Sequence, residues 1–175
     1  MNRLVTAVRD CPRPVLAAVR GAVVGLGVPI ALSADLTVAA ADSYFLLPFT
    51  GIGLMPDGGA TALVTATMGR AKAMQMALLG ERLPAAQAVA AGLIAETVPV
   101  TDFDARVGEL VTKLRRGPAR AYAATKRAIN DAALTQLGAA FDRERRGQQE
   151  LLAAADFAEG RTAFLERREP RFTDL

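Results

Sequence analysis

The sequence is constrained most strongly by a series of short apolar runs that glycine and proline interrupt. Three such runs span 14–20 (PVLAAVR), 35–41 (DLTVAAA) and 43–47 (SYFLL), and their length predicts buried strands. Between the first two lies GAVVGLGVPIALSADL, which predicts the end of a strand, a glycine-rich turn and a helix with Pro29 in its first turn. Strands that alternate with helices in this way predict an α/β fold.

The rest of the chain is mostly helical in pattern. Apolar residues have helical spacing over 1–10, and a long helical stretch later in the chain is interrupted at Gly69. A further strand is predicted at 93–100, and only helices are predicted after it. We therefore expect a mixed core over 1–101 and a helical region over 102–175.

The residue types exclude several kinds of site. The chain has no histidine, and Cys11 is its single cysteine. These counts exclude a disulfide framework, a Cys/His zinc site and a nucleophile paired with histidine. General acid–base catalysis would fall to aspartate, glutamate, lysine, tyrosine or Cys11. We expect neither a metal ion nor a redox cofactor.

The charge pattern argues against nucleic acid and membranes as partners. The 21 basic residues face 18 acidic ones, and the basic clusters at 113–116 and 142–146 lie on helical patterns or are interleaved with acids. No aromatic stacking platform accompanies them, so we interpret both clusters as solvated helix faces. No apolar run has the length of a membrane span, and residues 1–10 do not have the pattern of a signal sequence. We expect a cytoplasmic protein.

Several motifs, in one collinear order, make the chain similar to a known family. They are RPVLAAVRGAVVGLGVPIALSADL, GIGLMPDGGA, GRAKAMQMALLGERLPAAQAVAAGL and the C-terminal EGRTAFLERREPRF. From about Arg13 to Phe172 the chain resembles the enoyl-CoA hydratase/isomerase (crotonase) family. The resemblance implies a crotonase-like ββα spiral core with a helical C-terminal region. It also implies that 102–175 forms a trimerisation region and that the protein is a homotrimer or hexamer. We expect the family's N-terminal segment to be missing.

The resemblance also implies a substrate class and a set of site residues. Members of the family bind acyl-CoA thioesters, so CoA enters as part of the substrate and no separate cofactor is expected. Two backbone N–H groups stabilise the enolate-like oxygen, and one of them corresponds to Leu26, between Gly25 and Gly27. The second comes from the N-terminal segment that we expect to be missing. Because the donor is a backbone group, the leucine side chain does not abolish it.

Two positions depart from the hydratases of this family. Those enzymes activate water with two glutamates, and the corresponding positions here hold Pro29 and Phe49. Neither residue can transfer a proton, which argues against hydration by two glutamates. Asp57 stands where some isomerases of the family keep a catalytic acid. Asp57 therefore has two interpretations that stay open at this point, a catalytic base of a single-carboxylate isomerase or a helix cap.

The basic C-terminal motif also has two interpretations. Arg167 corresponds to a basic residue that in this family reaches the phosphates of CoA, and Arg168 and Arg171 could do the same. Alternatively, the motif is a solvated tail. For the protein as a whole we expect an acyl-CoA enzyme that acts as an isomerase. The alternative is a catalytically inactive acyl-CoA-binding or assembly protein derived from the family.

Overall fold

The computed structural model of the protein describes residues 1–174 and contains eight helices and six short strands within that range. Leu175, the last residue of the predicted helical region, lies outside the described residues. In chain order the elements are α1 (Asn2–Asp10), β1 (Leu16–Val19), β2 (Ala22–Val24), α2 (Gly27–Leu32), β3 (Leu36–Ala40), β4 (Tyr44–Leu46), a 3₁₀ turn (Phe49–Ile52), α3 (Ala60–Leu79), β5 (Leu83–Pro84), α4 (Ala85–Ala90), β6 (Glu96–Val98), α5 (Phe103–Arg116), α6 (Ala119–Ala133), α7 (Leu137–Leu152) and α8 (Ala155–Glu166).

The strands form two three-stranded sheets. The first has the order β1-β3-β6 and is parallel throughout, with Ala18 opposite Val38 and Val38 opposite Glu96. The second has the order β2-β4-β5, in which β2 and β4 are parallel and β5 is antiparallel. Gly21, which has a φ of +65°, separates β1 from β2, so consecutive strands enter different sheets. The predicted α/β class is confirmed.

Strand β3 shows why the apolar runs are continuous and not alternating. Val38 and Ala40 pack with Phe103 of α5 on one face, whereas Ala39 belongs to the main core on the other face. Burial on both faces is typical of a parallel sheet covered by helices. Within 35–41 the hydroxyl of Thr37 is also buried, and it donates to the carbonyl of Ala31 at 2.9 Å.

The helical pattern is also confirmed in its main features. Helix α3 is kinked at Gly69, whose φ of 75° and ψ of 165° are not helical, where the sequence predicts an interruption. After β6 the described chain contains helices α5 to α8 and no strand, as predicted. The division at Thr101 into two regions stays a prediction.

The C-terminal helices pack closely against the segment that connects β4 with α3. A methyl group at Gly160 of α8 would lie 2.6–2.7 Å from the backbone of Ile52, and one at Gly53 would lie 2.8 Å from the backbone of Asp156. Gly147 of α7 packs in the same way against the sulfur of Met55. Helices α7 and α8 therefore hold the segment that contains Phe49 and Asp57 in place.

None of the helices within residues 1–174 combines the length and the apolar character that crossing a membrane requires.

Candidate active site

The glycine-rich turn presents an unused backbone donor. Gly25 adopts a φ of +57°, and its own N–H donates to the carbonyl of Leu46 at 2.9 Å, which ties the turn to β4. Leu26 then has helical angles and precedes α2, of which Gly27 is the first residue. Among the described residues, no acceptor takes the N–H of Leu26. This group can therefore donate to a ligand.

Two further predicted site residues, Phe49 and Asp57, lie on segments that contact this turn. A methyl group at Gly58 would lie 3.1 Å from the side chain of Leu26 and 3.3 Å from the ring of Pro29. Asp57, the residue before Gly58, is thereby brought beside the turn. The ring of Phe49 also contacts the turn, because it would lie 3.8 Å from a methyl group at Gly25. The fold therefore brings the segments that carry Phe49 and Asp57 against the turn.

The carboxylate of Asp57 has no partner in this cluster. Its Oδ1 atom is buried and makes no hydrogen bond within residues 1–174. Helix α3 begins with Gly59 as its N-cap residue and has no cap from a side chain of that residue. Only the backbone carbonyl of Asp57 takes part, and it accepts the N–H of Ala60 at 3.3 Å. The interpretation of the Asp57 side chain as a helix cap is therefore wrong.

Glu144 of α7 does the capping instead. Its side chain is 1% exposed. One oxygen accepts the N–H of Gly59 at 2.7 Å, and the other accepts the N–H of Thr61 at 3.0 Å and the Thr61 hydroxyl at 2.6 Å. A carboxylate is favourable there because the first N–H groups of a helix lack partners inside it and carry partial positive charge.

Glu144 lies in the cluster 142–146, which the sequence analysis interprets as a solvated face, and for this residue that interpretation is wrong. Asp142, Arg143 and Arg145 are exposed as predicted. One signal was available. Glu144 shares helical spacing with the buried Leu137 and Ala140, so it is a charged residue within the apolar stripe of α7.

Other carboxylates with limited exposure are hydrogen-bonded or ion-paired, unlike Asp57. Asp35 accepts the N–H of Val15 and pairs with Lys126, both at 2.7 Å. Glu96 forms a bidentate pair with Arg106, at 2.8 and 3.1 Å. The described residues contain no cluster of three or more cysteine, aspartate or glutamate side chains that could hold a metal ion. Asp57 therefore stands out as a carboxylate that the fold buries in part but does not pair.

An ion-pair network around Arg168 holds the C-terminal motif in place. Arg168 makes hydrogen bonds to Glu159 at 2.5 and 2.9 Å and to Glu166 at 2.7 Å. Arg167 ends α8 with a φ of +55°, is exposed, and forms no ion pair with the other described residues. It lies about two helical turns beyond the contact of Gly160 with Ile52. The guanidinium group of Arg167 is thus available to an anion, whereas that of Arg168 is already paired with Glu159 and Glu166.

We expect Glu159 to titrate with a pKa of about 2, well below its ordinary value of 4.5. The largest cause is the hydrogen bond from Arg168, followed by the N–H of Arg171. Because folding lowers this pKa, the contribution to tail stability is complete above about pH 4.5 and is lost as the pH falls toward 2. Carbon-13 NMR of the Glu159 carboxyl measures the midpoint, and Arg168→Gln should return it toward 4.5. A midpoint near 4.5 in the unaltered protein would contradict the prediction.

Comparison with known proteins decides the family. The sequence model described as enoyl-CoA hydratase/isomerase matches residues 1–175. The chain belongs to this family. The match includes the cluster around Leu26 and Asp57 as well as the C-terminal motif, so the resemblance drawn from the sequence motifs is confirmed.

Similar proteins carry the names of both activities. A "Probable enoyl-CoA hydratase" of Rhodobacter capsulatus is 46% identical over 170 residues, which are 97% of this chain and 66% of the relative. The 1,2-epoxyphenylacetyl-CoA isomerase of Escherichia coli K12 is 38% identical over 172 residues, 98% of this chain and 66% of the relative. The chain therefore spans about two thirds of the length of these curated family members.

A solved structure confirms the fold. The enoyl-CoA hydratase from Mycobacterium avium subsp. paratuberculosis K-10 superposes with a TM-score of 0.96 at 54% identity, over 99% of this chain and 70% of that one. The predicted crotonase-like core with its helical C-terminal region is correct.

Proposed function

We propose that this protein acts as an enoyl-CoA isomerase in which Asp57 is the catalytic base and the Leu26 N–H is an oxyanion donor. The observation that carries the proposal is the partly buried, unpartnered carboxylate of Asp57, whose neighbour Gly58 contacts the side chain of Leu26, the residue with the unused N–H. A relative from Streptococcus mutans that is named trans-2-decenoyl-[acyl-carrier-protein] isomerase, 31% identical over 173 residues, supports the choice of reaction class.

The proposed reaction is a 1,3-proton shift in a 3-enoyl thioester. Asp57 removes a proton from C2, the double bond moves from C3–C4 to C2–C3, and the same proton is returned to C4. Negative charge develops on the thioester oxygen in between, and the N–H of Leu26 donates to that oxygen. Loss of one such donor typically costs about 2.7–4 kcal/mol of transition-state stabilisation. One carboxylate suffices because the proton is both taken and returned.

Hydration by two carboxylates has less support from the site. Pro29 is buried in the first turn of α2, and Phe49 lies with its ring toward Gly25. The resemblance places a glutamate at each of these positions in hydratases, and neither side chain here can hold or activate water. Asp57 alone then provides the chemistry.

The proposed acyl-CoA site combines residues of the strand-containing core with one residue at the end of α8. We propose that Gly25, Gly27 and Phe49 line the acyl thioester and that Arg167 reaches the phosphates of CoA. The planar guanidinium group suits phosphate, and no ion pair with the described residues occupies it. A homotrimer or hexamer, with 102–175 as the trimerisation region, is the assembly that we propose from the resemblance.

The experiment is a spectrophotometric isomerisation assay with 3-enoyl-CoA thioesters of several chain lengths. We expect conjugated product from the wild type and a loss of activity in Asp57→Asn, because the amide cannot accept the proton. Circular dichroism should show little change in unfolding temperature, since the Asp57 side chain has no partner to lose.

Three outcomes separate the proposal from its alternative. Activity that survives in Asp57→Asn would contradict the role of Asp57. A folded wild type that is inactive on all thioesters but binds CoA would support a catalytically inactive acyl-CoA-binding protein. Product formed by adding water would identify a hydratase despite Pro29 and Phe49.

A further inference from the structure

The turn that carries Asp57 is held from a distant part of the chain. Glu144 of α7 accepts hydrogen bonds from Gly59 and Thr61, 85 and 83 residues earlier in the sequence. Helix α7 is pressed against the same turn, because a methyl group at Gly59 would lie 2.8 Å from the side chains of Leu137 and Phe141. The carboxylate of Glu144 is thus fixed opposite the start of α3.

Without Glu144, the carboxylate of Asp57 could accept a hydrogen bond from a nearby backbone N–H. Aspartate side chains commonly accept the N–H two residues further along the chain, which here belongs to Gly59. That N–H lies at the start of α3 and has no partner inside the helix. In the folded protein Glu144 occupies it at 2.7 Å, and Oδ1 of Asp57 is left buried and unpartnered.

We propose that Glu144 is a positioning residue that keeps Asp57 free for proton transfer. By occupying the donors at the start of α3, it removes the alternative in which Asp57 turns back and caps the helix. This inference rests on the proposed role of Asp57 as the base. The burial of the Glu144 charge is offset by the three hydrogen bonds that it accepts, two from backbone N–H groups and one from a hydroxyl.

Glu144→Gln isolates this effect with little change in side-chain volume. One carboxylate oxygen accepts from Gly59 and the other accepts from Thr61. A glutamine must turn its NH₂ group toward one of these backbone N–H groups, where two donors face each other. The orientation that keeps both hydrogen bonds from Thr61 turns the NH₂ group toward Gly59, so the Gly59 N–H is released and Asp57 can accept it.

A double-mutant cycle on the unfolding temperature tests the inference without substrate. The cycle compares the wild type, Asp57→Ala, Glu144→Gln and the double variant. We expect Asp57→Ala to change the midpoint by less than about 1 °C in the wild type, where its side chain is unpartnered. In the Glu144→Gln background Asp57 has become the cap, so there Asp57→Ala should lower the unfolding midpoint by a further ~2–4 °C. An equal shift in both backgrounds overturns the proposal.

The activity of Glu144→Gln supplies the second readout. If most molecules hold Asp57 as a cap, kcat for the 3-enoyl-CoA should fall about fivefold, because only the remaining fraction is competent. KM should stay within about twofold, since Glu144 does not line the proposed thioester site. Glu150→Gln, an exposed change on the same helix, should leave kcat, KM and the unfolding temperature unchanged. An unchanged kcat in Glu144→Gln overturns the proposal.

The two proposals can fail separately. A wild type that is inactive on enoyl thioesters contradicts the proposed isomerase, whereas the temperature cycle still reports whether Glu144 controls the partner of Asp57. Conversely, an active isomerase with no coupling between the two positions leaves Asp57 as the base and removes Glu144 from the mechanism.

Discussion

We expect Phe45→Ala to lower the free energy of unfolding by about 3–5 kcal/mol. Phe45 is the central residue of β4, has no exposed surface, and lies opposite Val23 of β2 and Leu83 of β5. Its ring belongs to the main core that the second sheet shares with α2, α3 and α4. Truncation removes the buried ring and leaves a cavity that the two neighbouring strands cannot close, because the sheet fixes their spacing.

A urea titration followed by circular dichroism measures this loss. Phe164→Ala is the matched control, because that ring is 73% exposed and should contribute within about 0.5 kcal/mol. If the two variants unfold at the same urea concentration, the placement of Phe45 at the centre of the core is wrong.

We expect Gly160→Val to destabilise the protein by about 2–3 kcal/mol and to disturb the candidate site. The Cβ atom would come within 2.6–2.7 Å of three backbone atoms of Ile52, and backbone cannot rotate away as a side chain can. Helix α8 must therefore move from the 3₁₀ turn that carries Phe49. The effect is steric and opposes helix propensity, since an ordinary residue is normally better than glycine inside a helix.

The matched control is Gly108→Val in α5, where a Cβ would meet nothing within 4 Å. We expect that variant to stay within about 0.5 kcal/mol of the wild type in the same urea titration. Equal stabilities of the two variants would show that α8 does not pack on Ile52 as described.

Much of the fold could be predicted because its signals are local. The three apolar runs form β1, β3 and β4. Gly69 interrupts α3 as predicted, with a positive φ that glycine adopts readily. Strand β2 was predicted only as the end of a preceding strand. Its three residues, Ala22–Val24, are too few for a pattern of their own, and they are a separate strand because Gly21 turns the chain into the second sheet.

The candidate site was also predicted in part, where its signals are local. The motifs around Leu26 and Asp57 could be recognised as a pattern, and the fold brings them together through the contact of Gly58 with Leu26 and Pro29. Of the two interpretations of Asp57, the helix cap is the one that the structure contradicts. An aspartate shortly before a helix is a common cap, and nothing near Asp57 in the sequence shows that the donors are already taken.

By itself, the sequence determined most of the elements and their order, the family and the absence of any histidine or cysteine pair for catalysis. Only the tertiary structure decided which carboxylate caps α3 and which is left unpartnered. The physical reason is that the first N–H groups of a helix lack partners inside it, so carboxylates from different parts of the chain compete to accept their hydrogen bonds. That competition is between Asp57, two residues from Gly59, and Glu144, which is 85 residues away. Its outcome depends on how α7 packs against the turn, which no local pattern encodes.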